Sequence, residues 1–452
     1  MSGRFEGQRA VVIGAGVSGG ASARVLADEG ASVLVSDERP LGSIDRASEL
    51  EALGIEVEGG GHVAAQLDGA TIVVVSPGVA ESAPVIGWAR DRSLPVWGEL
   101  ELGARLCEVP YLAVTGTNGK TTTTELLAQM VRADGRDAVA CGNIGHPFPV
   151  AAREGRDLLV VEASSFQLRF QSTFHPRISI LLNVSPDHLD WHGSPEAYAE
   201  AKASIFAAQE RDDVHIGNAD DETARGISSQ ATCLQVWFRT LDEPSAGEVG
   251  YVGGTLVSRI DGERSLGVPD PERAGFREDA AAAAAAALSF GVGADAVARA
   301  LLSFTPAAHR GELVATVRGI RFVDNSKATN VHAALAAIAA VPGLPVLIAG
   351  GRAKGVDLSP LAQAAPGLTA VVAIGEAAPD LLALFDGRVP VRSADSIEKA
   401  VGVATAMAPP EGTVLLAPAC ASWDMFADYR ERGERFTAAA RALAEDRQRV
   451  DG

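Results

Sequence analysis

Apolar runs of four or five residues recur along the chain, and each stops at a glycine, a proline or a polar turn. Ala10-Val-Val-Ile13 leads into Gly14-Ala-Gly-Val-Ser-Gly19, an Ala/Leu-rich amphipathic stretch and Ser32-Val-Leu-Val35, which predicts a βαβ unit over residues 8–35. Thr71-Ile-Val-Val-Val75 halts at Ser76-Pro-Gly78 and extends the same small doubly wound sheet to about Val109-Pro110. A second block opens at Tyr111-Leu-Ala-Val114 and adds Leu158-Leu-Val-Val161 and Ile178-Ser-Ile-Leu-Leu182. Unbroken apolar runs of this kind suit a mainly parallel sheet covered on both faces.

After Ala219 the pattern shortens into brief strands and turns as far as about Arg273. The alanine run at 280–287, followed by Leu288 and Phe290, predicts a packed helix with no chemistry of its own. Phe304-Thr-Pro306 marks a second boundary, beyond which Val346-Leu-Ile-Ala349, Ala370-Val-Val-Ala-Ile374 and Thr413-Val-Leu-Leu416 read as strands opening onto a crevice. The expected fold class is α/β in three domains, residues 1–109, 110–305 and 306–452. The first and last are Rossmann-like parallel sheets, and no solenoid repeat joins the blocks.

Composition narrows the function. With 47% apolar and 21% charged residues over 452 positions, the chain is globular rather than disordered or fibrous. Its 39 Lys+Arg against 58 Asp+Glu give a formal charge of -19, which repels nucleic acid and anionic membrane while leaving local pockets for small anions. Four cysteines without a C-x-x-C pair give neither a disulfide framework nor a zinc set, so a reducing cytoplasm is expected. The start, Met1-Ser-Gly-Arg-Phe, has no apolar signal core, and no run approaches a membrane span.

Thr115-Gly-Thr-Asn-Gly-Lys-Thr-Thr122, placed after a strand and before a helix, carries the strongest chemical signal. Gly116 and Gly119 let the backbone curl so that successive N–H groups turn inward. Lys120 supplies a point charge for outer phosphates, and Thr121 can offer a hydroxyl to Mg²⁺. The strict G-x-x-x-x-G-K-[ST] spacing is broken by Val114 in place of glycine, so this central domain is of P-loop type with a shortened signature.

Further residues have chemical and structural readings side by side. Glu162, after four apolar strand residues, can hold Mg²⁺ or serve as a helix N-terminal acid. His188 can hold a second Mg²⁺ or be structural. Tyr198, Lys202 and Phe206 share one helix face by their i, i+4 spacing, which directs Lys202 inward. A desolvated lysine is a nucleophile toward CO₂.

Residues 115–121 resemble the T-G-T-N-G-K-T loop of the Mur ligases, and Glu162, His188 and Lys202 match the acid, histidine and lysine that the family has further along. Three more stretches are similar to the family's D-glutamate-adding members: Ser164-Ser-Phe-Gln-Leu168, Asn325-Ser-Lys-Ala-Thr-Asn330, and Pro418-Ala-Cys-Ala-Ser-Trp-Asp-Met-Phe426 with Arg432-Gly433. The resemblance runs from Gly14 to about Phe436. It implies a cytoplasmic enzyme of peptidoglycan precursor synthesis, working as a monomer, that uses ATP and two Mg²⁺ ions to join D-glutamate to UDP-N-acetylmuramoyl-L-alanine through an acyl phosphate.

Site residues follow from the same resemblance. Lys120, Glu162, His188 and Lys202 are catalytic, with Lys202 carbamylated, and Thr121, Glu162, His188 and Lys202 hold metal. Thr115, Gly116, Thr117, Asn118, Gly119, Lys120, Thr121 and Thr122, with Asp279, Arg310, Asn325 and Lys327, take ATP. Val17, Ser18 and Gly19 lie at the UDP diphosphate and Asp37 or Arg39 at the uridine, with Gly78 and Asn143 closing over it. Thr329, Lys354 and Ser422 hold D-glutamate beside Tyr429, where the family usually has phenylalanine. Two further positions depart from the family pattern. Asp324-Asn325-Ser326-Lys327 reverses the usual Asn-Asp order, and Gly275-Phe-Arg-Glu-Asp279 replaces a His-Asn pair.

The first glycine turn, Gly14-x-Gly-x-x-Gly19 with Asp37 after the next strand, also fits an NAD-dependent oxidoreductase. Such an enzyme has no use for a second phosphate loop at Gly116. A nonenzymatic nucleotide-binding regulator is the other alternative, supported by the two departures.

Overall fold

The structure, a computed structural model, describes residues 3–268, 274–305, 307–353 and 355–450. Of the positions named above, Met1, Ser2, Arg273, the boundary residue Pro306 and the D-glutamate candidate Lys354 lie outside the described residues.

Three sheets order the chain. The first comprises β1 (Arg9–Ile13), β2 (Ser32–Asp37), β3 (Glu56–Gly59), β4 (Ile72–Val75) and β5 (Val96–Gly98) in the order β3-β2-β1-β4-β5, all parallel. The order reverses between β1 and β4, and doubly wound sheets bind ligands at the carboxyl ends of strands flanking such a reversal. The helix Val17–Asp28 begins there, directly after the glycine turn.

The second sheet has β6 (Tyr111–Thr115), β7 (Ala138–Gly142), β8 (Leu158–Glu162), β9 (Ile178–Leu181), β10 (Val214–Asn218), β11 (Leu234–Phe238), β12 (Glu248–Val252), β13 (Thr255–Ser258) and β14 (Arg264–Gly267). Their order is β14-β13-β12-β11-β10-β9-β6-β8-β7, parallel from β7 to β12 and antiparallel over the last two. In the register of β6 and β8, Val114 faces Glu162, so the acid ends its strand beside the phosphate loop. The alanine run lies in the helix Ala274–Ser289, and Ala280 to Ala287 are all fully buried. A helix apolar all round belongs to an interior.

The third sheet holds β15 (Glu312–Val317), β16 (Ile320–Asp324), β17 (Val346–Gly350), β18 (Ala370–Ile374), β19 (Val391–Ser393) and β20 (Thr413–Leu416) in the order β15-β16-β20-β17-β18-β19. It is parallel except for the β15/β16 hairpin. Apolar sequence runs were enough to expect β1, β4, β6, β8, β9, β17, β18 and β20. Less apolar strands such as β3 and β19, with exposed charged or polar residues, carried no such run.

The described residues fall into two compact units. One holds the first two sheets, through Val184 with 196–268 and 279–304. The other holds the third sheet, the residues beyond 304, and the segments 185–195 and 274–278. Among the described residues no helix is long and apolar enough to cross a membrane, and no disulfide forms.

Candidate functional site

The phosphate loop leaves β6 at Thr115, whose hydroxyl donates to the Ala163 carbonyl at 2.8 Å. Its first half is held by one side chain. Asn183, just past β9, accepts the Thr117 N–H at its backbone oxygen (3.0 Å) and at its side-chain oxygen (3.1 Å), and the Asn118 N–H at 2.9 Å. Those two amides therefore serve the scaffold, contrary to the expectation that successive N–H groups all turn inward. The remaining donors belong to the first turn of the helix Lys120–Ala133, where backbone N–H groups lack intrahelical acceptors and the helix dipole favours an anion.

Gly119 caps that helix in the left-handed region at φ +82°, and a Cβ there would come within 2.1 Å of Asp279 Oδ1. Thr123 donates its hydroxyl to the same Asp279 oxygen at 3.2 Å. The buried Asp279 carboxylate thus forms the floor of the loop, a place its sequence position could not reveal. Lys120 Nζ donates to the carbonyls of Gly116 and Thr117, both at 2.9 Å, so its ammonium is folded over the loop. The half-buried Thr121 hydroxyl has no partner among the described residues.

Lys202 reaches the same loop. It projects from the helix Pro195–Ala203, is fully buried, and donates from Nζ to the Gly116 carbonyl at 2.6 Å while lying 4.5 Å from the Tyr198 ring centre. Tyr198 in turn pairs its hydroxyl with Thr117 Oγ1 at 3.1 Å. The predicted inward face holds for Tyr198 and Lys202. Phe206 lies past the helix end, in the 3₁₀ turn Ser204–Phe206.

Glu162 is buried at the end of β8. One of its oxygens accepts from Asn143 Nδ2 at 2.9 Å, and the Asn143 N–H also donates to the Glu162 carbonyl at 3.0 Å. The other oxygen, Oε2, is buried with no hydrogen-bond partner among the described residues. A bare buried carboxylate oxygen is costly unless a cation or donor completes it, so the residue fits a Mg²⁺ ligand. Asn143, expected to close over the UDP nucleotide, hydrogen-bonds this acid. Among the described residues no group of three His, Cys, Asp or Glu forms a metal cage. Mg²⁺ needs none where one or two carboxylates and phosphate oxygens complete its shell.

His188 stands in the other compact unit, on the segment 185–195. It caps the short helix Leu189–His192 at φ +52°, with Nε2 3.8 Å from Asp187 Oδ2. Asp187 also accepts from Asn330 Nδ2 at 3.2 Å, within that unit.

At the first glycine turn, Gly14 is left-handed at φ +93°, and a Cβ on Gly19 would lie 1.9 Å from the Gly14 carbonyl. Only glycine permits so tight a strand-to-helix turn. Val17 and Ser18 open the following helix. The Ser18 hydroxyl hydrogen-bonds Glu99, a carboxyl pushed up by burial that also accepts from the Phe148 N–H at 3.1 Å. Asp37 is fully engaged: Oδ2 accepts from the Ala15 N–H at 2.7 Å, and both oxygens accept from the Arg39 guanidinium at 2.9 and 3.0 Å. The Arg39 hydrogen bond holds its pKa down at about 2. An acid so occupied has no oxygen left for a ribose diol, and the NAD reading loses its recognition residue. Gly78 is exposed beyond β4.

In the third sheet, Asn325 follows β16, and its N–H donates to the Leu416 carbonyl at 2.9 Å. The reversed acid, Asp324, ends β16. It is buried, pairs with His309 Nδ1 at 2.6 Å, and is pushed up by burial, with the His309 bond opposing. Lys327 Nζ lies 4.0 Å from the Tyr429 ring centre, and the guanidinium of Arg310 has no partner among the described residues. Thr329 and Ser422 carry hydroxyls without partners among the described residues.

The residue that sequence reasoning missed here is Arg432, quoted only as part of a motif. Fully buried, it donates to Ser326 Oγ (3.0 Å), the Ser326 carbonyl (2.8 Å) and the Cys420 carbonyl (3.1 Å). It ties the Lys327 and Ser422 loops together, and burial lowers its pKa to about 10.

Comparison with known proteins matches each sheet to one family. The Mur ligase MurD-like N-terminal domain matches residues 8–98, the Mur ligase middle domain 114–248, and the Mur ligase glutamate ligase domain 309–420. The UDP-N-acetylmuramoylalanine--D-glutamate ligase of Frankia casuarinae is 45% identical over 97% of this chain and 95% of its own length. The enzymes of the same name from Thermobifida fusca and Geobacillus kaustophilus are 42% and 39% identical, each over 97% of this chain. Among solved structures, the pseudomurein peptide ligase type C of Methanothermus fervidus has a TM-score of 0.61 at 19% identity, covering 97% of this chain and 99% of its own. The UDP-N-acetylmuramate-alanine ligase of Thermotoga maritima has a TM-score of 0.60 at 19% identity, covering 96% and 99%. These two likenesses concern the fold.

Proposed function

Because the chain belongs to the Mur ligase family, we propose that it joins D-glutamate to UDP-N-acetylmuramoyl-L-alanine at the expense of ATP, a step of peptidoglycan precursor synthesis. The observation that carries the chemistry is the phosphate loop with two lysines converging on Gly116 and a bare carboxylate oxygen on the neighbouring strand. A carboxylate is a poor electrophile, so ATP first converts the L-alanine carboxylate to an acyl phosphate, and the D-glutamate amine then displaces phosphate.

In this reading Lys120 swings from the loop carbonyls to the transferring phosphoryl group, while the first turn of its helix holds the other phosphates by N–H donation. Glu162 Oε2, the Thr121 hydroxyl and a carbamylated Lys202 would hold Mg²⁺, and His188 is assigned as a further metal ligand. Bound there, Mg²⁺ offsets negative charge on the triphosphate. Asn143 keeps the Glu162 carboxylate oriented.

We assign residues 1–109 to the UDP precursor, 110–305 to ATP and 306–452 to D-glutamate. Val17, Ser18 and Gly19 take the diphosphate. Thr329, Ser422 and Lys354 take the amino-acid carboxylates, since a dianion needs a cation and hydroxyl donors. Arg310, Asn325 and Lys327 are assigned to ATP. We also propose that the chain works as a monomer in the cytoplasm. The test is phosphate release from ATP with UDP-N-acetylmuramoyl-L-alanine and each candidate amino acid. Release only with D-glutamate supports the reading, and none with any amino acid overturns it in favour of a regulator.

A further inference from the structure

The acid at the end of β2 has its oxygens occupied by Ala15 and Arg39, so a hydrogen-bond donor on the nucleoside end of the UDP precursor needs another acceptor. We infer that His62 reads it, with ring nitrogen Nε2 accepting a hydrogen bond from a donor on the uridine.

A relay of side chains beside the glycine turn fixes the state of that ring. Gln66 donates from Nε2 to Glu58 Oε2 at 2.6 Å, and its Oε1 accepts from the Val63 N–H at 3.0 Å. A carboxylate can only accept and a backbone N–H can only donate, so both contacts impose the same amide orientation. Gln66 Oε1 also lies 3.0 Å from the Ser36 hydroxyl, which must therefore donate to it. With its one proton committed, Ser36 Oγ can only accept from His62 Nδ1, 2.7 Å away. The neutral imidazole then carries its proton on Nδ1 and presents Nε2 as a bare acceptor. Ser36 and Gln66 are buried, which leaves water no share in the relay, whereas His62 is half-buried and Nε2 has no partner among the described residues.

The place fits as well as the state. Ser36 lies at the carboxyl end of β2 and its carbonyl accepts from the Gly14 N–H at 2.7 Å, so the relay adjoins the turn assigned to the diphosphate. Past β3, the Gly60 N–H donates to the Arg39 carbonyl at 2.8 Å and the Gly61 N–H to the Asp37 carbonyl at 3.2 Å, which fastens the loop leading to His62 onto that same end. In a doubly wound sheet the nucleoside lies there, over the strand next to the turn. Uridine offers three donors to a bare acceptor: the two ribose hydroxyls and the uracil N3–H.

The inference rests on the reading of the first domain as the UDP site, and its test separates the two. Steady-state kinetics of the full chain would be measured with UDP-N-acetylmuramoyl-L-alanine and with its 2′-deoxy, 3′-deoxy and N3-methyl uridine analogues. His62→Ala and His62→Phe should each raise KM for the UDP precursor roughly tenfold, the loss of one hydrogen bond, with KM for ATP unchanged. The analogue lacking the relevant donor should lose affinity with the unmodified chain and show no added loss with either variant. Gln66→Leu, which frees the Ser36 proton to face Nδ1 and so moves the imidazole proton to Nε2, should raise the same KM. An unchanged KM in both His62 variants, or analogue penalties equal in variant and parent, would overturn the inference. Failure of the unmodified chain to bind the UDP precursor would overturn the reading beneath it too.

Discussion

Lys202 and Lys120 donate to one and the same oxygen, the carbonyl of Gly116, at 2.6 and 2.9 Å. Two ammonium groups on one neutral acceptor repel each other, which favours an anion between them or conversion of the Lys202 amine to the proposed carbamate. The loop is therefore prepared for a strongly negative ligand, and the two lysines should respond differently to mutation.

Lys120→Ala should lower ATP-dependent ligation by about 10³-fold or more, in line with the loss of a charge aimed at a transferring phosphoryl group. Affinity for the UDP precursor, measured by calorimetry, should stay unchanged. Retained turnover would refute the assignment of this loop to ATP.

Lys202→Ala should depress both stability and rate, since it removes a buried N–H donor to Gly116 and the packing of its side chain against the Tyr198 ring. Native mass spectrometry of the parent protein should show the mass of one added CO₂, absent from the variant. A parent without that added mass, together with an active Lys202→Ala, removes the lysine from the mechanism.

For Glu162→Gln we expect a much higher Mg²⁺ requirement and a rate about 10²-fold lower at saturating metal, because an amide oxygen replaces the bare carboxylate oxygen. A Mg²⁺ titration of phosphate release reads both. A titration curve superimposable on that of the parent would exclude Glu162 as a ligand.

His215 predicts an acid-sensitive fold. It is fully buried between the Ser179 and Ser228 hydroxyls at 2.7 and 2.8 Å, and burial lowers its pKa from 6.5 to about 3. The unfolded chain binds a proton there that the folded chain refuses. Stability from this group is thus present above about pH 6.5 and lost as pH falls toward 3, at a slope of about 1.4 kcal/mol per pH unit. In His215→Gln the fall in stability between pH 6 and 4.5 should be shallower by about that slope. Equal slopes in urea denaturation would show that another group controls the acid limb.

What could be read from sequence alone followed from how each feature is encoded. The three sheets were legible because their central strands are continuous apolar runs such as Val346–Gly350. The phosphate loop was legible because glycine and lysine at fixed spacing have few other uses. Contacts between distant residues were not. Asn183 holding Thr117 and Asn118 spans more than 60 positions, and an asparagine after a strand looks like any turn residue. Asp37 looked like a ribose ligand because pattern shows where an acid sits but not what already occupies its oxygens. Arg432 was hidden for a related reason: a buried guanidinium served by carbonyls leaves no complementary charge in the sequence to betray it.

The alanine run was expected to have no chemistry of its own, and the residue just before it, Asp279, lies against the phosphate loop. Eight consecutive methyl side chains have no rotamers to exchange, so the rod cannot yield by repacking itself.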